Sequence, residues 1–272
     1  MTGAPPTTSD FTLDIPALPS LAQAPGWASP CGRAVLYNAD CLPLLGKLKF
    51  NSIVTDPPYG INYTKGNGGL GFHRTGTVTN TKPIYGDDKE FDPSPLFQCG
   101  KRRRFGTSDT AIVLFGANHY CQKIPHEGQW LVWDKCCGQG AANSFVDAEF
   151  IWMNRRNARC IYRHFWAGGL RAGEDNQGKS KRMHPSQKPV ELMMWLLESA
   201  RIGLGKTVLD PYMGTGTTGV ACLRTGRKFI GVEIDPEYFA FARARIEKEL
   251  EQLRMFFEEP NHVLGDSNRE VK

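Results

Sequence analysis

Val208-Leu209-Asp210-Pro211-Tyr212-Met213-Gly214-Thr215-Gly216-Thr217-Thr218-Gly219 reads as a strand, a glycine-rich turn and the start of a helix that runs through Ala221 and Leu223 to Gly226. Gly214, Gly216 and Gly219 fit the spacing in which small residues let the backbone approach a ligand and let the helix pack on its strand. Lys228 to Asp235 follows as a second strand with an acidic end. A carboxylate at that tip is placed to take both hydroxyls of a ribose, so the ligand is expected to be a nucleoside or nucleotide.

Working outward, the chain alternates in period. Strands are expected at Ala34 to Asn38, Ser52 to Thr55, Ala111 to Phe115, Trp130 to Trp133, Glu149 to Asn154, Thr207 to Leu209 and Lys228 to Glu233. A helix is expected from Pro189 to Ala200, another after the glycine turn, and a long amphipathic one from Pro236 towards Phe256. Phe239, Ala242, Ile246, Leu250 and Leu253 recur there at helical spacing and read as one buried face. Strands separated by helices imply an α/β fold: a seven-stranded, mostly parallel sheet with helices on both faces. Residues 31–256 are read as a single domain, residues 1–30 as a loosely held arm rich in Pro, Ser, Thr and Ala, and residues 257–272 as a tail.

Asp56-Pro57-Pro58-Tyr59 closes the second expected strand. Each proline fixes its own φ and pushes the preceding residue into extended geometry. A carboxylate, a free backbone carbonyl and an aromatic ring therefore stand together at a strand end. That trio suits a flat substrate with an amino group: the ring stacks on a base, and the two acceptors each take one N–H. A turn with a core-capping tyrosine is the plain alternative for the motif taken alone.

The glycine turn narrows the cofactor. A phosphate-binding loop needs Lys and Ser or Thr after the glycines, whereas Gly219 is followed by Val220 and Ala221. A nicotinamide dinucleotide tolerates the spacing, but Asp210 would repel its pyrophosphate. A cofactor with a cationic sulfonium and an amino acid end suits that carboxylate, and S-adenosyl-L-methionine fits best.

Asp56-Pro57-Pro58-Tyr59, His184-Pro185-Ser186-Gln187-Lys188-Pro189 and Asp210 to Thr218, in that order, resemble the signature motifs of the DNA amino-methyltransferases, which act on adenine N6 or cytosine N4. Having the catalytic motif first and the cofactor motif last is similar to the permuted beta group. The resemblance covers Arg33 to Lys248 and implies the Rossmann-like S-adenosylmethionine-dependent methyltransferase fold. It also implies roles. Asp56, Pro57, Pro58 and Tyr59 would form the catalytic motif. Asp210, Pro211, Tyr212, Gly214, Thr215, Gly216 and Thr217 would form the cofactor loop, with Asp210 near the methionine end. Glu233 would bind the ribose, Asp40 the adenine of the cofactor, and Ser186 and Lys188 its carboxylate. Asp rather than Ser at position 56 favours adenine N6 over cytosine N4.

Composition is compatible with this reading and does not reveal it. A net charge of +5 over 272 residues suits a nucleic-acid partner without a histone-like excess. Eight cysteines without a Cys-x-x-Cys pair suggest neither zinc nor a disulfide framework, and the histidines show no metal spacing. No apolar run approaches the ~18 residues of a membrane span, and the N-terminus lacks the layout of a signal peptide, so a soluble, cytoplasmic protein with no metal is expected. Trp130, Trp133, Trp152 and Trp166 are read as core.

Double-stranded DNA is the expected partner. Lys101-Arg102-Arg103-Arg104 is the sharpest basic cluster, and Lys181-Arg182 lies in a second one. Both are candidate phosphate contacts, with a solvated charge run as the alternative. Residues 61–108 are read as a loop or lid that could help recognise DNA, since only Asn157 to Met183 is available where many of the beta group carry a recognition region. A homodimer is a further option, and a restriction nuclease partner is not named by the sequence. Methylation of an RNA base or a protein amide, and nicotinamide-dependent oxidation, are the remaining alternatives.

Overall fold

Ala34 and Leu36 point to one face of a sheet, and Val35 and Tyr37 to the other, and all four are buried. A strand buried on both sides reads as a continuous apolar run, and a parallel sheet covered by helices is its natural setting. The computed structural model describes residues 26–62, 84–99, 110–138, 147–167, 170–171 and 188–257. It begins with β1 (Gly26–Ala28), β2 (Ala34–Asn38), the short helix α1 (Leu42–Leu45), β3 (Ser52–Thr55), α2 (Ser94–Cys99) and β4 (Ala111–Phe115). A 3-10 turn over Ala117–Lys123 leads to β5 (Gln129–Asp134), β6 (Ala148–Met153), β7 (Ile161–Arg163) and the two-residue pair β8 (Trp166–Ala167) and β9 (Leu170–Arg171). Then come α3 (Val190–Ser199), β10 (Thr207–Asp210), α4 (Thr217–Arg224), β11 (Lys228–Glu233) and α5 (Pro236–Phe257).

The main sheet has the order β1-β2-β11-β10-β3-β4-β6-β5-β7. From β2 to β4 the pairings are all parallel, and β6 runs antiparallel between β4 and β5. The seven strands expected from the sequence are the seven consecutive inner ones. The sheet has nine because β1 pairs antiparallel with β2 and β7 pairs parallel with β5 at the two edges. Three-residue strands carry too few side chains to show a period. Gly26–Ala28 thus belongs to the sheet, although the sequence assigns it to the N-terminal arm.

Two apolar layers flank the sheet. On one face α3, α4 and α5 bring Leu192, Leu196, Val220, Ala221, Ala242 and Ile246 onto Leu36, Val54, Val208 and Phe229. On the other, α1, α2 and the 3-10 turn bring Leu44, Leu45, Leu96 and Tyr120 onto Ile53, Ile112, Leu209 and Val232. Burying one such aliphatic or Phe side chain contributes about 1.5–3 kcal/mol. The α5 stripe packs as expected, with Phe239, Leu250 and Leu253 against the first layer. The close fit of α4 on β11 depends on Gly219, where a Cβ would stand 2.7 Å from Ile246 and 2.8 Å from Phe229. Asp235 starts α5 by accepting from the backbone N–H groups of Glu237 (2.8 Å) and Tyr238 (3.3 Å).

Phe91 and Leu96 are core residues, so this part of the 61–108 stretch packs into the domain rather than standing off as a lid. Residues 63–83 and 100–109 lie outside the described residues. Trp133 and Trp152 are buried as expected, whereas Trp130 is 42% exposed. All eight cysteines are free thiols. Among the described residues no helix is long and apolar enough to cross a membrane, and no three potential metal ligands cluster.

Candidate active site

Every parallel strand from β2 to β4 ends at the same edge of the sheet, the edge where such folds bind ligands. Asn38, Thr55, Phe115, Asp210 and Glu233 are the last residues of those strands. Because β6 runs the opposite way, its early residue Glu149 lies at this edge too, beside Lys135 just past β5.

Asp56 follows β3 directly, and its carboxylate is bonded on both oxygens. The Tyr59 hydroxyl donates to Oδ1 at 2.5 Å, and the Lys188 ammonium donates to Oδ2 at 2.6 Å. Lys188, just ahead of α3, is only 5% exposed. Its Nζ also lies 3.3 Å from Glu149 and 5.3 Å from the Phe115 ring centroid. Glu149 in turn pairs with Lys135 at 2.5 Å, which completes a row of alternating charges, Asp56, Lys188, Glu149 and Lys135. Burial raises the Asp56 carboxyl above its ordinary range, with Lys188 opposing and the like charge of Glu149 adding to the rise. Burial would raise Glu149 as well, but Lys188 and Lys135 overcome it and hold that carboxyl low. Burial would lower Lys188, and its two carboxylate partners outweigh that, so it stays firmly protonated.

Tyr59 is held from three sides. Its ring stacks on His119, with centroids 5.1 Å apart and planes 15° from parallel. Gly116 passes so close that a Cβ there would lie 2.1 Å from the Tyr59 Cε1. Behind the motif, Asp87 Oδ1 accepts from the backbone N–H groups of Tyr59, Gly60 and Ile61 at 3.1, 2.9 and 3.3 Å. One buried carboxylate therefore pins the exit of the proline corner.

The glycine loop sits next door. Asp210 is 2% exposed and accepts from Thr55 and Thr218 hydroxyls, each at 2.7 Å, and from the Tyr212 N–H at 3.2 Å. Burial pushes its carboxyl up to about 7, against the downward pull of the two threonines. Glu233 accepts from the Gly214 N–H at 2.9 Å and the Asp235 N–H at 2.8 Å, which ties the loop to the tip of β11. Asn38 donates to the Glu233 carbonyl at 2.8 Å and joins β2 to the same tip. Asp40 is exposed beyond β2 and accepts from the Leu42 N–H at 3.0 Å. Thr215, Thr217 and Pro211 are buried, and Arg245 donates to the Thr217 hydroxyl at 2.9 Å.

These residues fit the S-adenosylmethionine that the resemblance implies. A buried carboxyl as strained towards neutrality as Asp210 gains from a cation placed near it. Beyond Gly214 an added Cβ would meet no atom within 4 Å, so the loop faces open space. Glu233 and Asp40 stand at neighbouring strand ends.

The structure thus gathers Asp56, Pro57, Tyr59, Lys188, Asp210, Gly214, Glu233 and Asp40 at one edge. Lys188, read as a partner for the cofactor's carboxylate, is engaged by Asp56 and Glu149. Ser186, Lys101, Arg102, Arg103, Arg104, Lys181 and Arg182 lie outside the described residues. Sequence reading missed Glu149, Lys135, Asp87 and His119. Each is an ordinary residue locally, and only contacts across dozens of positions give it a place in the site.

Residues 155–244 match the family model described as DNA methylase. The Type II methyltransferase M2.LlaDCHI of Lactococcus lactis subsp. cremoris is 32% identical over 259 residues, covering 79% of this chain and 90% of that protein. The Type II methyltransferase M2.DpnII of Streptococcus pneumoniae is 33% identical over 135 residues, which is 49% of this chain and 47%, about half, of that protein. Among solved structures, the PvuII DNA methyltransferase (cytosine-N4-specific) shares the fold, with a TM-score of 0.51, 14% identity, and coverage of 82% of this chain and 91% of that one. By motif, site and sequence similarity together, the chain belongs to the S-adenosylmethionine-dependent DNA amino-methyltransferase family.

Proposed function

We propose that the protein transfers a methyl group from S-adenosylmethionine to the exocyclic N6 of an adenine turned out of duplex DNA. The observation that carries this reading is the placement of Asp56, the Pro57 carbonyl and Tyr59 directly beside the glycine loop, linked to it by the Thr55 to Asp210 hydrogen bond.

An exocyclic amine is a poor nucleophile because its lone pair is delocalised into the ring. Asp56 and the Pro57 carbonyl each accept one of its N–H groups, which favours a pyramidal nitrogen and aims the lone pair at the methyl donor. Bound cofactor supplies an electrophilic methyl on a cationic sulfur. Tyr59 offers its ring to the extruded base and offsets part of the few kcal/mol that unstacking costs. Asp at position 56 supports adenine as the target. The two basic runs support a DNA backbone as partner through their charge alone.

The test is transfer of labelled methyl from S-adenosylmethionine to unmethylated duplex DNA, with product nucleosides identified by mass spectrometry. N6-methyladenine is expected. N4-methylcytosine would keep the mechanism and change the target, and incorporation into RNA or protein but not DNA would overturn the substrate. Asp56→Ala should abolish transfer while cofactor binding survives, and substantial residual transfer would mean that another group orients the amine.

A further inference from the structure

Both acceptor oxygens of Asp56 are already engaged, one by Tyr59 and one by Lys188. A substrate amine that bonds to this carboxylate shares an oxygen with one of them, and once the carboxylate takes up a proton its hold on the ammonium weakens. Lys188 has somewhere to go, because Glu149 stands 3.3 Å from the same ammonium. Lys135 anchors Glu149 from beyond at 2.5 Å.

We propose that Glu149 is a positioning residue for methyl transfer: it receives the Lys188 ammonium when Asp56 turns to the substrate amine and takes its proton. This rests on the role given to Asp56 above. Methyl transfer breaks the sulfur–carbon bond, whose electron pair stays on sulfur, and the amine lone pair forms the new nitrogen–carbon bond. The nitrogen gains one positive charge and must shed one proton. Asp56 is the carboxylate within reach, and Lys188, already protonated, cannot accept it. Once Asp56 is neutral, Lys188 needs another counter-ion, and Glu149 supplies it. The charges balance before and after: a cationic amine, Asp56 carboxylate, Lys188 ammonium and Glu149 carboxylate become a neutral amine, Asp56 acid and a Lys188–Glu149 pair.

Among the described residues the groups facing Asp56 are Tyr59 in its own corner, Lys188 before α3, Glu149 on β6, Tyr120 in the 3-10 turn and Asp210 at the end of β10, with Lys135 after β5 paired to Glu149. Of these, Glu149 is the one whose charge both raises the Asp56 carboxyl and attracts its lysine. Removing that charge takes a like charge away from Asp56 and a competing carboxylate away from Lys188, so the Asp56 carboxyl should titrate lower and release its lysine less readily.

Glu149→Gln tests this in the full-length protein. Single-turnover methyl transfer to unmethylated genomic DNA should slow by about tenfold or more, with cofactor and DNA affinities unchanged. The acid limb of its pH–rate profile should move to lower pH. In the cofactor-free protein, the Asp56 carboxyl followed by 13C NMR should titrate at lower pH than in the wild type. Glu149→Asp, which keeps the charge, should restore the wild-type midpoint. Lys135→Gln, which leaves Glu149 free to draw Lys188 from Asp56, should move the midpoint the other way. A uniform loss of rate with unmoved midpoints in Glu149→Gln and Lys135→Gln would reduce Glu149 to a structural residue and overturn the proposal. If Glu149→Gln fails to fold, the midpoint in Lys135→Gln decides alone. Activity retained in Asp56→Ala would instead strike at the reading of Asp56 itself, whereas an inactive Asp56→Ala beside a wild-type-like Glu149→Gln would strike only at Glu149.

Discussion

Thr55 and Asp210, 155 positions apart in sequence, share a buried 2.7 Å hydrogen bond that joins the strand leading into the Asp56-Pro57-Pro58-Tyr59 corner to the strand leading into the glycine loop. β3 and β10 are parallel neighbours, so the bond lies across the seam between the two halves of the site. It also satisfies one oxygen of a carboxyl that has almost no access to water.

Thr55→Val keeps the shape and removes the donor. A buried acceptor that loses a partner costs about 1–3 kcal/mol. We expect a destabilisation in that range by urea denaturation, together with weaker cofactor binding as the loop loosens. A variant as stable as the wild type would show that the threonine is not needed to hold Asp210.

Asp210 makes a pH prediction whose sign is fixed. Its carboxyl titrates near 7 in the fold, above the ordinary value of about 3.9. Between about pH 4 and 7 the folded state then holds more protons than the unfolded one, so this group makes stability fall as pH rises through that window. A cation nearby works in the opposite sense, so cofactor affinity should rise as pH passes 7. Calorimetry across pH 5.5 to 8.5 should show that rise in the wild type at roughly the carboxyl's own midpoint and a flat profile in Asp210→Asn.

Glu233→Ala removes the carboxylate at the tip of β11 and the acceptor for the Gly214 N–H. Cofactor affinity should drop by about tenfold or more, as expected for a lost charge-assisted hydrogen bond, while the domain stays folded. Unchanged affinity by calorimetry would remove Glu233 from the site.

Gly116→Ala probes the wall behind Tyr59. The backbone there has φ of +59°, and the added Cβ would lie 2.1 Å from the ring. Either the ring moves or the loop does, so transfer to DNA should fall by about tenfold or more, by analogy with other small misplacements of substrate-holding groups. Cofactor binding, which the proposed reading assigns to the glycine loop, should be nearly unaffected. Equal loss of both, measured by calorimetry and single-turnover transfer, would point to a general distortion instead.

The legible part of this molecule was local. Ile53 and Val54 end in Asp56-Pro57-Pro58-Tyr59, Leu209 ends in Asp210 and a glycine turn, and Val232 ends in Glu233. Strand, corner and carboxylate can be read at each place because period and proline geometry act over a few residues. The edge strands Gly26–Ala28 and Ile161–Arg163 were not legible, since three residues show no period and their pairing is chosen by the strand alongside. Phe91 and Leu96 were hidden for a related reason: a polar surrounding stretch masks two side chains that tertiary packing buries.

Sequence by itself determined the α/β fold, the inner strands and the residue types gathered at their carboxyl ends, because backbone preferences and hydrophobic periodicity are encoded over neighbouring positions. Only the tertiary structure decided which charges meet. Lys188 reaches Asp56 across 132 positions and then Glu149 on an antiparallel strand, and the electrostatic energy of such a row depends on distance and burial, which no local pattern carries.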